Sequence, residues 1–240
     1  MDSQTINQSA ELLLEAVKKR IEIAAQACGR NAADIKLIAV SKNKTSADIR
    51  EFYKIGIRDF AENYVQEFIS KKEELSDLTD ICWHFIGHLQ SNKCKLILDE
   101  IDLLHSLDRP TLAELLVRSR AKIGILAPMK ILMQLEVDPT DPNKFGATPK
   151  EAPEFCRYLV SVKELQWAGF MGMGPAGKTA DELKPLYDAF RLRCDSLWQQ
   201  FSRNPTMPPE ISLGMSGDLE TAIAAGSTMV RIGSALFGAR

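Results

Sequence analysis

The chain has 240 residues, a formal net charge of -2, and 45% hydrophobic and 26% charged residues. These values are typical of a globular protein with a large core, and the length suits one α/β barrel domain spanning residues 1–240. The charge lacks the basic excess that binding to a phosphate backbone usually needs. We therefore do not expect nucleic acid as a partner, whereas a small anionic ligand remains compatible with the composition.

Targeting and redox signals point to a cytoplasmic protein. The cysteines are odd in number, widely spaced and without a C-x-x-C pair, which argues against a disulfide framework and a zinc site; they are Cys28, Cys82, Cys94, Cys156 and Cys194. The first residues mix charged with apolar side chains and lack the long uncharged core of a signal peptide or membrane span. They predict an amphipathic helix over residues 6–28 that packs on the rest of the protein.

After that helix, short apolar runs alternate with helical patterns, as in parallel strands joined by crossover helices. The predicted strands are residues 36–41, 58–61, 83–86, 103–106, 130–137, 167–171, 211–213 and 229–232. The predicted helices between them include residues 46–55, 64–74, 111–122, 149–160, 179–201 and 218–225. Eight units after an extra N-terminal helix predict a single (β/α)8 TIM barrel, with an open doubly wound sheet as the competing fold.

In such a barrel, the residues that follow the strands share one rim, where the chemistry of these folds is found. The polar or small residues at these positions are Lys42, Glu62, Asn63, His88, Met215, Ser216, Gly217, Gly233 and Ser234. The loops after strands seven and eight read GMSGD and RIGSA. Their glycines let backbone N–H groups approach an anion, two serines add hydroxyl donors, and a helix beginning near Asp218 adds its positive end. These loops predict a phosphate site.

Lys42 ends the run IKLIAVSK and is a candidate Schiff-base nucleophile on the same rim. Burial and a neighbouring cation, for which Arg231 is the candidate, would lower its pKa as attack on a carbonyl requires. An aldehyde-reactive lysine beside a phosphate cradle suggests pyridoxal 5'-phosphate. Lys44 has the same strand parity and is the rival attachment site. A solvated lysine and helix-capping serines are the structural alternatives.

Several long motifs in order resemble the pyridoxal phosphate homeostasis protein family, formerly named for proline synthase co-transcription. They are IAVSKNK, DFAENYVQE, WHFIGHLQSNK, HSLDR and LGMSGDLETAIAAGSTMVRIGSALFGAR. The resemblance implies one barrel similar to the N-terminal domain of alanine racemase, with the cofactor on Lys42 rather than Lys44. It places Asn63 near the cofactor ring, Arg231 at the pyridine nitrogen, and Ser216, Gly233 and Ser234 around the phosphate. Met215, on the same loop, completes the predicted cofactor-binding set.

The expected function is cofactor binding, homeostasis and carriage with little or no catalysis. An arginine at the pyridine nitrogen would disfavour its protonation and weaken the ring as an electron sink. Racemases of the related fold also use such an arginine, but they take a second base from an additional domain, for which we expect no room after strand eight. A racemase-like enzyme is the alternative function. We expect a monomer without a membrane partner, and apoenzymes that use the cofactor are candidate recipients.

Two further sequence patterns are typical of other kinds of site, one for a nucleotide and one for a metal. GMGPAGKT, residues 172–179, satisfies the phosphate-loop pattern G-x-x-x-x-G-K-[ST] between a strand and a helix, which indicates a nucleotide site as a second alternative. No later apolar strand ends in the acid that would hold magnesium. His84 and His88 are four residues apart but straddle a predicted strand end, so we expect no metal pair there.

Overall fold

Eight parallel strands close into a barrel in chain order, with the first strand completing the ring against the last. The computed structural model describes residues 3–141 and 146–238, so the predicted domain of residues 1–240 extends past its ends. The strands are β1 Lys36–Val40, β2 Asp59–Glu62, β3 Cys82–Phe85, β4 Leu103–Leu107, β5 Met129–Gln134, β6 Leu165–Met171, β7 Glu210–Ser212 and β8 Met229–Ile232. The closed ring confirms the predicted TIM barrel and removes the open sheet.

Helices follow most strands and form the outer layer. They are α1 Ser3–Ala27, α2 Ser46–Lys54, α3 Val65–Glu74, α4 Pro110–Lys122, α5 Ala152–Ser161, α6 Ala180–Phe201, α7 Leu219–Ala224 and α8 Ser234–Phe237. Between β3 and β4 the described chain forms only the single 3-10 turn Cys94–Leu96. The predicted fifth strand ran to residue 137, whereas β5 ends at Gln134 and Leu135 forms an isolated bridge to Ala147.

Two helices begin where the sequence supplies a capping box. Thr45 accepts a hydrogen bond from the Asp48 N–H before α2, and the Asp48 side chain accepts one from the Thr45 N–H. Thr179 and Glu182 form the same reciprocal pair before α6. Each box satisfies two backbone donors that the first helical turn cannot pair, so these local residues set the points where the chain leaves the barrel rim.

The core has two layers, as the alternation of side chains along a strand requires. A small cluster fills the barrel interior and consists of Ile38, Val40, Ala61, Leu103, Leu132, Met171 and Met229. A much larger cluster packs the outward strand residues against the helices and includes Ala39, Phe60, Phe85, Leu104 and Phe170. Residues 36, 38, 40 and 42 share one parity, which directs Lys42 to the inner side of the rim.

Helix α1 packs on the barrel against α7, α8 and α2, as predicted for the amphipathic N-terminal segment. Its buried side includes Leu14, Val17 and Ile21. Arg20 forms a two-point ion pair with Glu220 of α7, with nitrogen–oxygen distances of 2.7 and 2.9 Å. In the described part of the chain, no helix is both long and apolar enough to cross a membrane.

A line of polar side chains also runs through the barrel interior. Arg231 Nη1 donates to Ser212 Oγ at 2.6 Å, and Ser212 Oγ lies 2.9 Å from His105 Nδ1. His105 Nε2 lies 2.9 Å from His84 Nδ1, and His84 Nε2 lies 2.9 Å from Asp59 Oδ1. Because an unpaired polar group is costly inside a protein, these consecutive bonds allow four polar side chains and one guanidinium to occupy the core.

Asp59, at one end of this line, makes the stability of the protein depend on pH. Burial opposes ionisation of Asp59, but hydrogen bonds from His84 and Lys36 outweigh it and lower the pKa of the carboxyl to about 2. The folded-state pKa lies below the unfolded value, so this stabilisation is present above the unfolded pKa and is lost as the pH falls towards 2. We expect it to contribute about 2 kcal/mol to the free energy of unfolding.

Urea unfolding at pH steps from 6 to 2 measures this contribution. The variant Asp59→Asn is expected to be less stable at pH 6 and to lose less stability on acidification. An equal pH slope for the variant and the parent protein would contradict the assignment of that slope to Asp59.

Candidate functional site

A cavity of about 360 Å³ opens at the carboxyl edge of the barrel. It is lined by Val40, Lys42, Lys44, Asn63, Ile86, Met173, Met215, Ser216, Gly217, Arg231, Gly233, Ser234 and Gly238. All seven residues predicted from the sequence as cofactor-binding lie in this set. A larger cavity, of about 460 Å³, lies at the amino ends of β5, β6 and β7. Since barrels of this kind bind substrates at the carboxyl face, the smaller cavity is the candidate site.

Both candidate lysines line the cavity, but they differ in their surroundings. Lys44 Nζ donates to the Phe237 carbonyl at 2.8 Å, which ties it to the last residue of α8. Between the two lysines, Asn43 has a φ of +59°, the left-handed conformation of a tight turn. The two lysines therefore stand on either side of this turn, and both remain part of the cavity lining.

A buried ion cluster fixes the backbone on both sides of Lys42. Lys71 Nζ donates to the Ser41 carbonyl at 2.8 Å and to Glu62 Oε1 at 2.7 Å. Glu67 Oε2 accepts from Lys71 Nζ at 3.0 Å and from the Asn43 N–H at 2.9 Å. Burial raises the pKa of Glu62, and the neighbouring Lys71 opposes that rise. The cluster therefore clamps the residues before and after Lys42.

This cluster was not predicted from the sequence, because Glu62 was expected on the rim. Glu62 faces the helix layer instead, where Lys71 reaches it from α3. A signal was present: Lys71 follows Val65 and Phe68 at a spacing of three, on the buried face of α3. A lysine on an apolar helix face needs a buried acid, and Glu62 ends the preceding strand.

Asn63 is held by close backbone packing. A Cβ atom at Gly87 would lie 1.9 Å from the Asn63 carbonyl oxygen, so only glycine permits this approach. Ser106 Oγ donates to the Gly87 carbonyl and fixes the other side of the contact. Asn63 Oδ1 is buried and has no hydrogen-bond partner among the described residues. An unsatisfied acceptor beside a cavity fits a ligand that carries a donor group.

The loops after β7 and β8 meet at the opposite side of the cavity. Ser216 Oγ accepts from the Ala235 N–H at 3.3 Å, which joins the two loops. Arg20 of α1 donates to the Ser216 carbonyl at 3.0 Å. Asp218 accepts from the Met215 N–H, so its carboxylate shapes the loop at the start of α7. The N-terminal helix thus supports the predicted phosphate loop through Arg20, which was not predicted from the sequence.

Gly217 provides a test of the predicted phosphate cradle. A Cβ atom there would meet nothing within 4 Å, and the backbone lies outside the left-handed region. Packing within the protein therefore does not require glycine at this position. The variant Gly217→Ala is expected to change the free energy of unfolding by no more than about 0.5 kcal/mol.

The same variant is expected to weaken the binding of a phosphate-bearing ligand by about tenfold, because the added methyl group stands where the anion would approach the backbone. Equilibrium dialysis and urea unfolding of the same preparation separate the two effects. Unchanged affinity together with unchanged stability would show that the loop does not hold the phosphate.

Arg231 brings a buried positive charge to the cavity. Besides its bond to Ser212, its Nη2 donates to the Gly172 carbonyl at 2.9 Å. Burial lowers the pKa of the guanidinium to about 10, which leaves it charged at neutral pH. A guanidinium donates hydrogen bonds and accepts none. A ring nitrogen that faces Arg231 would therefore act as an acceptor and remain unprotonated.

The glycines and the lysine of GMGPAGKT have other roles in this fold. A Cβ atom at Gly172 would lie 2.8 Å from the Phe190 ring, and one at Gly174 would lie 2.1 Å from the Tyr187 hydroxyl oxygen. Lys178 pairs with Glu182 at 3.0 Å, and Thr179 caps α6. Gly177 has a φ of +77°, which favours glycine, so packing, backbone conformation and capping give these residues structural roles without a nucleotide site.

His84 and His88, the two histidines spaced four residues apart, lie in different surroundings. His84 is part of the interior polar line, whereas His88 lies 3.1 Å from an Asp108 oxygen and does not line the cavity. Asp59, Cys82 and His84 offer three ligand atoms within 4.8 Å of one another. The Lys36 ammonium lies 3.0 Å from the same Asp59 oxygen, which opposes a second cation there, and burial raises the pKa of the Cys82 thiol to about 12.

Comparison with known proteins agrees with this architecture. The family model described as alanine racemase, N-terminal domain, matches residues 12–240. The structure of alanine racemase from Corynebacterium glutamicum shares the fold, with a TM-score of 0.65 at 16% identity over 95% of this chain and 61% of that chain. The protein is thus a barrel of the alanine racemase N-terminal domain class.

Closer relatives narrow the assignment. Proteins named pyridoxal phosphate homeostasis protein are 36% identical in Aquifex aeolicus, over 95% of this chain and 96% of the relative, and 38% identical in Pseudomonas aeruginosa, over 93% of each. The structure of PipY from Synechococcus elongatus with PLP bound has a TM-score of 0.78 at 38% identity, over 91% of this chain and 100% of that chain. The chain belongs to the pyridoxal phosphate homeostasis protein family.

Proposed function

We propose that the protein binds pyridoxal 5'-phosphate in the cavity at the carboxyl edge, as a Schiff base on Lys42. It holds the cofactor, hands it to apoenzymes that require it, and carries out little or no catalysis. The observation that carries this proposal is the convergence of an amine, a buried guanidinium and two serine- and glycine-containing loops on one cavity. The names of the relatives and the PLP bound to PipY support the same function.

Each part of the cavity has a function in this proposal. Lys42 would hold the cofactor through its amine, which condenses with the aldehyde group when water is lost. Ser216, Gly217, Gly233 and Ser234 surround the phosphate with backbone N–H groups and hydroxyl donors. Cavities of about 300–1,000 Å³ are usual for small ligands, and this one is about 360 Å³.

The residues around the cavity also support the absence of turnover. When bound, the cofactor supplies an electron sink for amino-acid chemistry. Arg231 leaves the ring nitrogen unprotonated, which weakens that sink. Among the described residues that line the cavity, the ionisable side chains are Lys42, Lys44 and Arg231. A racemase needs a second base on the opposite face of the substrate, and Lys44 is engaged with Phe237.

The test is the near-visible absorption spectrum of the cofactor-loaded protein before and after borohydride, followed by peptide mapping. We expect a borohydride-sensitive band and a pyridoxyl group on the peptide that contains Lys42. Lys42→Ala should lose the label, whereas the matched variant Lys44→Ala should keep it. A label on Lys44, or a protein that takes up no cofactor, would overturn the assignment.

Catalysis and carriage are measured separately. Incubation of the loaded protein with single amino-acid enantiomers is expected to give no enzyme-like rate of racemisation or decarboxylation. Mixing it with an apoenzyme that uses the cofactor is expected to restore that enzyme's activity at the rate at which cofactor leaves the loaded protein. Sustained turnover of an amino acid would replace the carrier function with the racemase-like alternative.

A further inference from the structure

The interior polar line connects the candidate site with the opposite end of the barrel. Arg231 lines the cavity, whereas Asp59 is the first residue of β2 and lies beside Lys36, the first residue of β1. His84, His105 and Ser212 between them are at most 1% exposed. The established fold does not require two histidines and a serine in a barrel interior that is otherwise filled by apolar side chains.

The direction of the hydrogen bonds follows from the two ends. Arg231 can only donate, so Ser212 Oγ accepts from it and has its own proton to give. The ionised Asp59 can only accept, so His84 Nε2 carries a proton. With both histidines neutral, one arrangement satisfies every bond: Ser212 donates to His105 Nδ1, and His105 Nε2 donates to His84 Nδ1. Every bond then points from Arg231 towards Asp59.

A proton added to His84 reverses the direction of the hydrogen bonds that join His84, His105 and Ser212. His84 Nδ1 then donates, so His105 Nε2 must accept and the His105 proton moves to Nδ1. His105 now donates to Ser212 Oγ, which accepts from Arg231 as well. Ser212 no longer gives its proton to His105, and its oxygen is a weaker acceptor for the guanidinium. One protonation event at His84 therefore changes the bond that positions Arg231.

We propose that Ser212, His105 and His84 are positioning residues for Arg231, and that they carry the protonation state of His84 to the cofactor end of the barrel. At that end the inference rests on the proposed function, since the guanidinium is expected to face the ring nitrogen. Burial, then the neighbouring His84 and Arg231, lowers the pKa of His105 far below its usual range, so His105 relays a proton position without gaining a charge.

Other charged or titratable groups lie near the polar line on several strands and affect the electrostatic potential at its histidines. They are Lys36, Asp59, Cys82, Asp102, Lys130, Glu210 and Arg231. Lys36 pairs with Asp59 at 3.0 Å, and Lys130 pairs with Glu210 at 2.6 Å. In each of these pairs at the amino end of the barrel, a positive charge is matched by a negative one. His84 is the imidazole that contacts both an acid, Asp59, and the next residue of the polar line, His105.

Nitrogen NMR of the cofactor-free protein tests the relay without relying on the proposed function. The chain has three histidines, so the imidazole spectrum is simple, and His88, paired with Asp108, provides an internal reference. As acid is added, we expect the His105 proton to move from Nε2 to Nδ1 together with the protonation of His84. The Arg231 Nε shift should follow with the same midpoint.

The matched variants are Ser212→Ala and Ser227→Ala. Both serines are fully buried, but Ser227 Oγ donates to strand carbonyls outside the line. We expect Ser212→Ala to uncouple the Arg231 shift from His84, and Ser227→Ala to leave the coupling intact. A His105 tautomer that does not change with pH, or an Arg231 shift that still follows His84 in Ser212→Ala, would overturn the relay.

Loading the same proteins with pyridoxal 5'-phosphate extends the test to the site. The near-visible band of the parent protein should shift with pH at the same midpoint as the NMR titration. Ser212→Ala should abolish that shift and weaken cofactor binding about tenfold. Ser227→Ala should keep both the shift and the affinity. A band independent of pH despite a coupled NMR titration would overturn the link to the cofactor. Failure of the parent protein to bind the cofactor would refute the proposed function, while the NMR result would still decide the relay.

Discussion

The variant Glu62→Ala is expected to lose about 3 kcal/mol of unfolding free energy, among the largest effects of any single substitution outside the apolar core. Its side chain is 0% exposed and pairs with Lys71, which is 7% exposed. Removal of the acid leaves a buried ammonium with the partly exposed Glu67 as its remaining acid partner, and it leaves the Ser41 hydroxyl with only the more distant Ala61 carbonyl, at 3.4 Å. Urea unfolding at neutral pH measures the loss.

Two controls separate this effect from the loss of an ordinary ion pair. Glu22→Ala breaks a pair with Lys19 whose side chains are 68% and 62% exposed, and it should cost less than about 0.5 kcal/mol. The double variant Glu62→Leu with Lys71→Met removes both charges and should recover much of the stability, because apolar replacements of buried pairs are often tolerated. Similar losses in Glu22→Ala and Glu62→Ala would contradict the buried cluster.

The variant Gly87→Ala is expected to lose about 3 kcal/mol of stability and most of its cofactor binding. The added Cβ atom would collide with the backbone of Asn63, and a backbone atom cannot rotate away as a side chain can. The segment that carries Asn63 must shift, and Asn63 lines the cavity. Thermal unfolding and equilibrium dialysis measure the two losses.

Gly217→Ala is the matched control, since a methyl group there meets no protein atom. It should keep its unfolding temperature while Gly87→Ala loses several degrees. If Gly87→Ala were as stable as the parent protein, the close approach of the loops after β2 and β3 would be wrong.

The sequence allowed the barrel and the contents of its cavity to be predicted for a common reason. Period-two runs mark strands locally, and the closed barrel then brings the residue after every strand to one rim. Lys42, Asn63, Ser216 and Ser234 needed only correct strand ends to be placed together. The choice of Lys42 over Lys44 came from the family resemblance alone.

The interior polar line could not be predicted in this way. His84 and His105 lie on neighbouring strands, but their contact depends on a register in which His84 pairs with Leu103, and the β4–β5 pairing contains an irregularity. Ser212 reaches His105 across the barrel interior. Polar residues with inward parity were visible in the sequence, but which of them meet is decided by strand register and tilt.

The pairing of β1 with β8 has a consequence for biosynthesis. Lys36 lies opposite Met229, and the same seam brings Lys42 to the loop that begins α8. Contacts between residues so far apart in sequence form late, because a long loop must close before they can be made. The cavity at the carboxyl edge therefore becomes complete only after β8 and the loop that begins α8 have been made and β8 has paired with β1. Ligand binding in this cavity is then a property of the folded barrel, and a partly synthesised chain lacks it.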